Sequence, residues 1–384
     1  MKFLNNVKQN TKLKYFTNYI IVAVMLAVTL TMKLTGNLAR SSATLLAQIS
    51  YSIILAVSLN LVVGFLGELS LGHAGFMCVG AYLGCYAANI LHEYISSQIL
   101  VLIISMIIGG LVAAVFGFII GLPALRLKGD YLAIVTLAFG EIVRTIFKNL
   151  KMFGGALGLD STKYKGNLFV VGFVVVLITL FIVQNIVRSK HGRAITAIRD
   201  NEIAARAMGI NVTYYKLFVF VVAAFFAGVA GVIYGHFATP VLYSFFSYNY
   251  SIEILVMVVL GGMGNITGSI ISATAITFIN FQLQTKLSGD LAALKFLVYA
   301  LILIVVVIFN NAPALSGLRE KLSFKRIFKS KKKDPSKIHS DEAAWDRVPT
   351  KIKMDEVLSV DVVVDDPYSP DKEAHNEEAK GGSK

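Results

Sequence analysis

Ionisable residues inside apolar stretches are the residues of this chain that could do chemistry. Asp, Lys or Arg at the centre of a membrane helix costs ~2.5–3.5 kcal/mol on insertion scales, so each one requires a reason. Glu141 and Arg144 lie three residues apart, on one face of a helix, where each would offset the cost of the other. A structural ion pair explains them, and a contact of Glu141 with a bound substrate is the alternative. His73, among small residues, predicts either a hydrogen-bonded packing histidine or a ligand.

Signatures of catalysis are few. His92-Glu93 begins a HExxH motif, but the second histidine is absent, so no zinc site of that type forms. The sequence contains neither a G-x-S-x-G nucleophile elbow nor a G-x-x-x-x-G-K-[ST] phosphate loop. We therefore predict that this chain is not an enzyme, holds no metal and binds no cofactor of its own.

The composition indicates a membrane protein. Of 384 residues, 56% are hydrophobic and only 15% are charged, whereas about a quarter of the residues in a soluble domain are charged. Several runs approach the ~20 apolar residues that cross a ~30 Å hydrocarbon core. We predict an all-α integral membrane protein that crosses a cell membrane many times. The net charge of +13 then indicates loops facing anionic lipid, and it does not predict a nucleic-acid partner.

Nine apolar segments are candidate membrane spans. They cover residues 15–32, 43–63, 69–91, 98–121, 131–148, 167–187, 215–238, 251–283 and 290–311. The eighth would run ~50 Å as one straight helix, which exceeds the hydrocarbon core. Its centre, Gly261-Gly262-Met263-Gly264-Asn265, disfavours helix, so we divide it into 251–262 and 266–283. At the start of the fifth span, Asp130 predicts a helix N-cap.

About ten membrane elements result, some of them short or broken. The block 319–333 contains eight Lys or Arg and one acid, and the N-terminus is also basic, so both termini are predicted to be cytoplasmic. Residues 1–14 form a cytoplasmic N-terminus and residues 15–312 the transmembrane domain. Residues 313–384 are a basic, then mixed-charge cytoplasmic tail that we predict to be largely disordered.

Glycines are dense in two of the segments. Small residues let membrane helices approach closely, and they permit broken helices where the backbone lines a cavity. Gly64-x-x-Gly67-x-x-Ser70 resembles Gly261-x-x-Gly264-x-x-Thr267, and matching interruptions in two halves indicate a transport path, with chance as the alternative. The predicted path residues are Gly64, Gly67, Ser70, Gly72, His73, Gly75, Glu141, Gly261, Gly262, Gly264 and Thr267.

The long polar interruption at residues 188–216 predicts a folded segment. Ile195 and Ile198 share one face of a helical turn, Asp200 is the expected N-cap of a second short helix, and Gly209 is its expected stop. Two explanations stay open on the pattern alone. The segment docks into a groove on another protein, or it lies on the lipid surface as an amphipathic element.

Four stretches carry a family resemblance. They read LNLVVGFLGELSLGHAGFMCVGAYL (59–83), GLPALRLKGDYLAIVTLAFGEIVR (121–144), GRAITAIRDNEIAARAMGI (192–210) and EILVMVVLGGMGNITGS (253–269). Over residues ~45–312 the chain resembles the membrane permeases of bacterial branched-chain amino acid ABC importers, of the LivM type.

The resemblance implies a transport subunit of the bacterial inner or plasma membrane, with several partners. These are a second permease subunit of the LivH type, two ATPase subunits that use ATP and Mg, an extracytoplasmic binding protein and the membrane lipid. It also implies that the loop 188–216 carries a coupling helix that docks on the ATPase. Ala204-Ala205-x-x-x-Gly209 is similar to the end of the importer EAA…G loop, although Ile203 stands in the place of its Glu. The implied coupling residues are Gly192, Arg193, Ile195, Ile198, Arg199, Asp200, Asn201, Glu202, Ala204, Ala205 and Gly209.

Other functions stay open beside this one. Relatives with the same subunit plan move urea or short amides, and the sequence does not separate these substrates from Leu, Ile and Val. A sugar permease fits the stretch 192–210 less well. A protein of a different class, an ATP-independent channel or a membrane sensor, would not require the loop 188–216.

Overall fold

A computed structural model describes residues 17–31, 33, 40–127, 129–162, 164, 166–286, 301 and 304. Within these residues the chain is helical, with one isolated bridge between Leu159 and Val241. The predicted cytoplasmic N-terminus and tail lie outside the described residues. So does the predicted span 290–311, except for residues 301 and 304.

Eleven helices form the described part of the chain. They are α1 (Thr17–Thr31), α2 (Arg40–Asn60), α3 (His73–Tyr94), α4 (Gln98–Ala124), α5 (Asp130–Asn149), α6 (Leu168–Arg188), α7 (Lys190–Asp200), α8 (Glu202–Ala207), α9 (Val212–Phe237), α10 (Tyr248–Gly261) and α11 (Ile266–Lys286). A π-helical turn continues α2 over Leu61–Leu66. Short 3-10 turns lie at Lys151–Phe153, Gly155–Leu157 and Tyr243–Phe246.

The predicted break in the eighth apolar segment is confirmed. α10 ends at Gly261 and α11 begins at Ile266, and between them Gly262 and Gly264 have φ angles of +87° and +78°. Only glycine adopts such angles without strain, so the backbone turns here. A short helix, α10, and a longer one, α11, therefore replace one continuous span.

Among the described helices, α2, α3, α4, α6, α9 and α11 are long and apolar enough to cross a membrane. α1 and α10 are apolar but shorter. α5 has 20 residues, nearly the length of the others, but carries four charged residues, Asp130, Glu141, Arg144 and Lys148. The predicted number of crossings and the orientation of the termini stay predictions.

α2 forms the centre of the bundle and is almost wholly buried. It packs against α6, α9, α10 and α11, and a second group is formed by α3, α4 and α9. Glycines bring the second group together. A Cβ on Gly80 of α3 would lie 2.3 Å from the Cα of Gly228 on α9, closer than any side chain permits.

Two predicted helix caps were wrong by one residue. Asp130 is the first residue of α5 and Gly129 stands at the cap, with a φ of +58° that favours glycine. Asp200 is the last residue of α7, and Asn201 caps α8: its Oδ1 accepts a hydrogen bond from the N–H of Ala204 at 3.0 Å. Asn201 has the extended backbone that an N-cap requires, whereas Asp200 is still helical.

Candidate functional site

α7 and α8 form a folded polar segment against the membrane helices. α7 packs on α6, α9 and the π turn after α2. Its two isoleucines are buried in the protein core, with Ile195 1% and Ile198 4% exposed, and Ala205 of α8 joins them. The predicted common face is therefore confirmed. Because the protein itself covers this face, it is not available to lie in the lipid surface.

The start of α7 is fixed by a side-chain cap. The hydroxyl of Ser189 accepts hydrogen bonds from the N–H groups of His191 at 3.1 Å and Gly192 at 3.3 Å. A Cβ on Gly192 would lie 2.0 Å from the carbonyl oxygen of Val187, so a side chain does not fit there. Arg193 is exposed on the outer side of the helix. The sharp turn between α6 and α7 therefore depends on a serine cap and a glycine.

The predicted glycine stop of α8 is confirmed. Gly209 has a φ of +79°, its N–H donates to the carbonyl of Arg206 at 3.0 Å, and the N–H of Ile210 donates to the carbonyl of Ala205 at 3.1 Å. These two bonds are those of a Schellman motif. A Cβ on Gly209 would meet no atom within 4 Å, so the outer side of this stop is open.

Beside this stop, α8 exposes two large apolar side chains. Ile203 is 79% exposed and Met208 is 82% exposed. Asn201, Ala204 and Arg206 share the exposed surface. The outer surface of α8 thus combines apolar and polar groups next to an open backbone turn. Exposed apolar groups of this kind mark interaction surfaces when they lie together.

The two glycine-rich breaks of the sequence meet in space. The N–H of Gly264 donates to Oδ1 of Asn60 at 2.9 Å, and a Cβ on Gly64 would lie 2.2 Å from the nitrogen of Gly264. Nη1 of Arg199, on α7, donates to the carbonyl oxygen of Gly64 at 3.2 Å. A Cβ on Gly67, whose φ is +84°, would lie 2.7 Å from Cγ of Arg199. We call these five residues the glycine junction.

Asp200 and Ser269 hold the polar groups of this junction in place. Asp200 pairs with Arg199 at 2.9 Å, and Nδ2 of Asn60 donates to Oγ of Ser269 on α11 at 2.9 Å. The guanidinium of Arg199 therefore has one partner on its own helix and one on the π turn. Through it, α7 is hydrogen-bonded directly to the break that follows α2.

An ion-pair network joins the same elements. The ammonium of Lys216, at the start of α9, contacts Glu68 in the loop before α3 and Glu202 of α8, the latter at 3.2 Å. Glu202 also pairs with Arg206 at 2.9 Å. The Lys216 side chain is only 4% exposed, whereas Glu68 and Glu202 are 13% and 20% exposed. We call these four residues the Lys216 network. It ties α8 to α9 and to the loop that follows the glycine junction.

The predicted path residues from Ser70 to Gly75 pack inside the bundle. Nε2 of His73 lies 2.8 Å from Oγ of Ser58, as a hydrogen-bonded packing histidine requires. Gly72 and Gly75 lie against α5, where a Cβ would come within 2.5 and 2.7 Å of its backbone. The hydroxyl of Ser70 is buried and has no partner within the described residues. These residues join α3 to α5, separately from the glycine junction.

Glu141 forms the predicted structural pair. Its carboxylate contacts Arg144 at 2.6 Å, and both side chains are slightly more than a quarter exposed. Oε1 of Glu141 also accepts the N–H of Tyr248, the first residue of α10, at 3.0 Å. The carboxylate thus caps a helix N-terminus, where a negative charge is favourable.

The remaining path residues lie at the turn between α10 and α11. A Cβ on Gly261 would lie 2.5 Å from the backbone of Gly268, so the two helices touch there. The hydroxyl of Thr267 bonds to the side chain of Asn18 on α1. Gly262 is half-buried. Of the predicted path residues, only Gly64, Gly67 and Gly264 take part in the glycine junction.

Two residues of the site, Asn60 and Lys216, were not predicted from the sequence. Asn60 is an amide within a long apolar run, four residues before Gly64, and that position was a usable signal. Lys216 stands at the boundary of a predicted span, where lysine is common, so its burial was not readable from the pattern. The described residues contain no group of three His, Cys, Asp or Glu that could hold a metal ion.

Comparisons with known proteins agree on one family. Residues 41–307 match the family described as the permease component of the branched-chain amino acid transport system. The chain is 32% identical to the high-affinity branched-chain amino acid transport system permease protein LivM of Salmonella typhimurium, and equally to that of Escherichia coli. Each of these alignments covers 71% of this chain and 69% of the relative.

Among the more distant relatives, one is named for the same transport system and another is named a ribose import permease protein. The probable branched-chain amino acid transport permease protein LivM of Methanocaldococcus jannaschii is 28% identical, over 56% of this chain and 73% of its own length. No solved structure matches the chain. The matched region contains α3 to α11 and nearly all of α2, with the glycine junction and the Lys216 network. The chain belongs to the family of branched-chain amino acid transport system permeases.

Proposed function

We propose that this chain is a permease subunit of an ABC importer and forms part of the path for branched-chain amino acids. A second, related permease subunit pairs with it, and an extracytoplasmic binding protein delivers the solute. ATP, with Mg, is hydrolysed by two separate ATPase subunits that dock on α7 and α8. The names of the relatives support the substrate class, and a match to a LivH protein of Methanocaldococcus jannaschii supports the second subunit.

One observation carries the docking proposal: α7 and α8 are anchored on one side and open on the other. Ile195 and Ile198 fix the segment to the core, while Ile203 and Met208 face outward. A segment that only lay on lipid would use its apolar face for the membrane, and that face is already occupied. A segment that is fixed to the membrane helices on one side and exposes apolar side chains on the other is suited to bind an ATPase and to transmit its movement.

The contacts of α7 and α8 connect a displacement by the ATPase to the membrane helices. Arg199 connects α7 to the glycine junction, and the Lys216 network connects α8 to α9. At a glycine break, the angle between two helices can change without the displacement of large side chains. We infer that ATP-driven displacement of α7 and α8 alters the packing of Gly64 on Gly264, and so the relative angle of α2, α10 and α11.

A pair of substitutions on α8 tests the docking surface. Ile203→Asp with Met208→Asp removes the outward apolar contacts but changes no packed residue. We expect loss of co-purification with the ATPase and loss of ATP-driven leucine uptake. Leu157→Asp is the matched control, because Leu157 is 84% exposed in the loop between α5 and α6. If the double variant still binds the ATPase as the control does, α8 is not the docking surface.

The urea or amide alternative is tested by competition. An importer of branched-chain amino acids should take up leucine, and an excess of urea or acetamide should leave that uptake unchanged. Uptake of urea without leucine would place the chain with the amide permeases.

A further inference from the structure

A second polar feature lies at the other end of the bundle. A partly open cavity of about 260 Å³ is lined by α2, α10, α11 and the turn Tyr243–Phe246. At 1.5 Å per residue, Tyr51 in its wall lies about 20 Å along α2 from Gly64, and Thr277 lies about 17 Å along α11 from Ile266. The cavity is thus far from α7 and α8, on the same three helices that meet at the glycine junction.

The cavity contains a carboxylate. Glu253, on α10, is half-buried in its wall, and one of its oxygens accepts a hydrogen bond from Nδ2 of Asn280 at 2.8 Å. A charged group within an apolar helix indicates a functional site, and this carboxylate places a negative charge in the wall of the cavity.

Two buried hydroxyls belong to the same wall. Thr277 is 7% exposed and Tyr250 is 9% exposed; within the described residues the Thr277 hydroxyl has no hydrogen-bond partner, and the Tyr250 hydroxyl lies near Ser52 without a well-formed hydrogen bond. Buried hydroxyls without partners are rare and unfavourable, so each is a donor that a bound solute could satisfy. Asn249 and Gln48 add amide donors.

Aromatic rings supply the remaining surface. The ring of Phe245 lies 4.5 Å from that of Tyr250 and 4.1 Å from that of Tyr234, and Tyr51 and Phe281 complete the apolar part of the wall. The volume is below the ~300–1,000 Å³ of sites for drug-sized ligands, so the solute is small. The cavity therefore offers a negative charge, several donors and an apolar surface to one small molecule.

We propose that this cavity binds an α-amino acid zwitterion with an aliphatic side chain during its passage through the permease. Glu253 accepts hydrogen bonds from the ammonium group, Thr277 and Tyr250 donate to the carboxylate, and the aromatic rings contact the aliphatic side chain. This inference rests on the proposed function and adds to it the position of a solute site in this subunit. A neutral urea or amide would not require Glu253.

The test uses the complete complex of both permease subunits and the ATPase in lipid nanodiscs, without the binding protein. Binding of radiolabelled leucine is measured directly. Glu253→Gln should weaken binding by about tenfold or more, because a hydrogen bond between charged groups becomes one between a charged and a neutral group. Glu93→Gln, an exposed carboxylate at the end of α3, is the matched control and should bind as the wild type does.

Thr277→Val and Tyr250→Phe test the same cavity independently of Glu253. Because neither hydroxyl makes a well-formed hydrogen bond to the protein, the variants should not lower the unfolding midpoint below that of the wild type. Their leucine affinity should nevertheless fall by about three- to tenfold. This arm decides the question if Glu253→Gln fails to assemble.

A solute analogue tests the role of the charge. 4-Methylpentanoate has the leucine skeleton without the ammonium group, so it should fail to compete with leucine at the wild-type complex. Equal competition by this acid, or unchanged leucine affinity in Glu253→Gln and Thr277→Val, overturns the inference. So does the absence of leucine binding in a complex that imports leucine.

Uptake by the wild type separates this inference from the proposed function. If the complete system imports leucine with ATP but the cavity variants bind leucine normally, the cavity proposal alone is wrong. If the complete system takes up no branched-chain amino acid, the proposed function is wrong and the cavity proposal with it.

Discussion

Substitution of Gly64 by alanine should destabilise the glycine junction by more than the addition of one methyl group usually does. The new Cβ would lie 1.9 Å from Oδ1 of Asn60 and 2.2 Å from the nitrogen of Gly264. Neither contact is possible, so the π turn must move away from the α10–α11 turn. Overpacking of this kind costs ~1–3 kcal/mol, and loss of the bond between Asn60 and Gly264 adds ~1 kcal/mol. The total is about 2–4 kcal/mol.

The assay is the thermal unfolding midpoint of the purified complex together with its ATP-driven leucine uptake. We expect Gly64→Ala to lower the midpoint by several degrees and to reduce uptake at least tenfold. Gly140→Ala is the matched control, because a Cβ on that helical glycine meets its nearest atom at 3.8 Å. It should be neutral or slightly stabilising, since alanine favours helix by ~0.5–1 kcal/mol. Equal behaviour of the two variants would refute the close packing of the two breaks.

Three further substitutions test the contacts around α7 and α8. Lys216→Met should destabilise the complex by about 3 kcal/mol, because it removes the ammonium partner of the partly buried Glu68 carboxylate, and Glu68→Gln in the same background should restore part of the loss in the unfolding midpoint. Arg199→Lys keeps the charge but loses the planar group that bonds both Asp200 and the π turn; ATP hydrolysis should continue while leucine uptake falls, as an increased ratio of ATP consumed to leucine imported. Gly209→Val should cost ~1–2 kcal/mol of backbone strain and weaken ATPase binding in a pull-down, whereas unchanged binding would show that the glycine stop has no part in docking.

The sequence predicted the helices well because hydrophobic runs and glycine breaks are local signals. The division of the eighth apolar segment followed from its length and from Gly261 to Asn265, and both causes lie within one stretch of chain. The inward face of α7 was likewise readable from Ile195 and Ile198. The predicted cap of α8 is one residue early, since Asp200 and Asn201 are both good caps and only the backbone angle separates them, and the predicted cap of α5 is one residue late.

The tertiary contacts of the site were not readable in the same way. The resemblance between the segments at Gly64 and Gly261 indicated related breaks, but nothing in the spacing indicated that the two breaks touch or that Arg199 joins them. Lys216 and Glu68 are 148 residues apart, and their pairing depends on the packing of α9 against the loop before α3. Glu253, inside an apolar segment, was not predicted as a site residue. Its meaning depends on the cavity that α2 and α11 complete around it.

The central claim is that energy enters this chain from a separate ATPase through α7 and α8. Vesicles containing both permease subunits, with the binding protein enclosed on the side that delivers leucine, test it most directly. We predict leucine transport when the ATPase and ATP are both present, and none when either is omitted. Leucine transport at the same rate without the ATPase would contradict the claim.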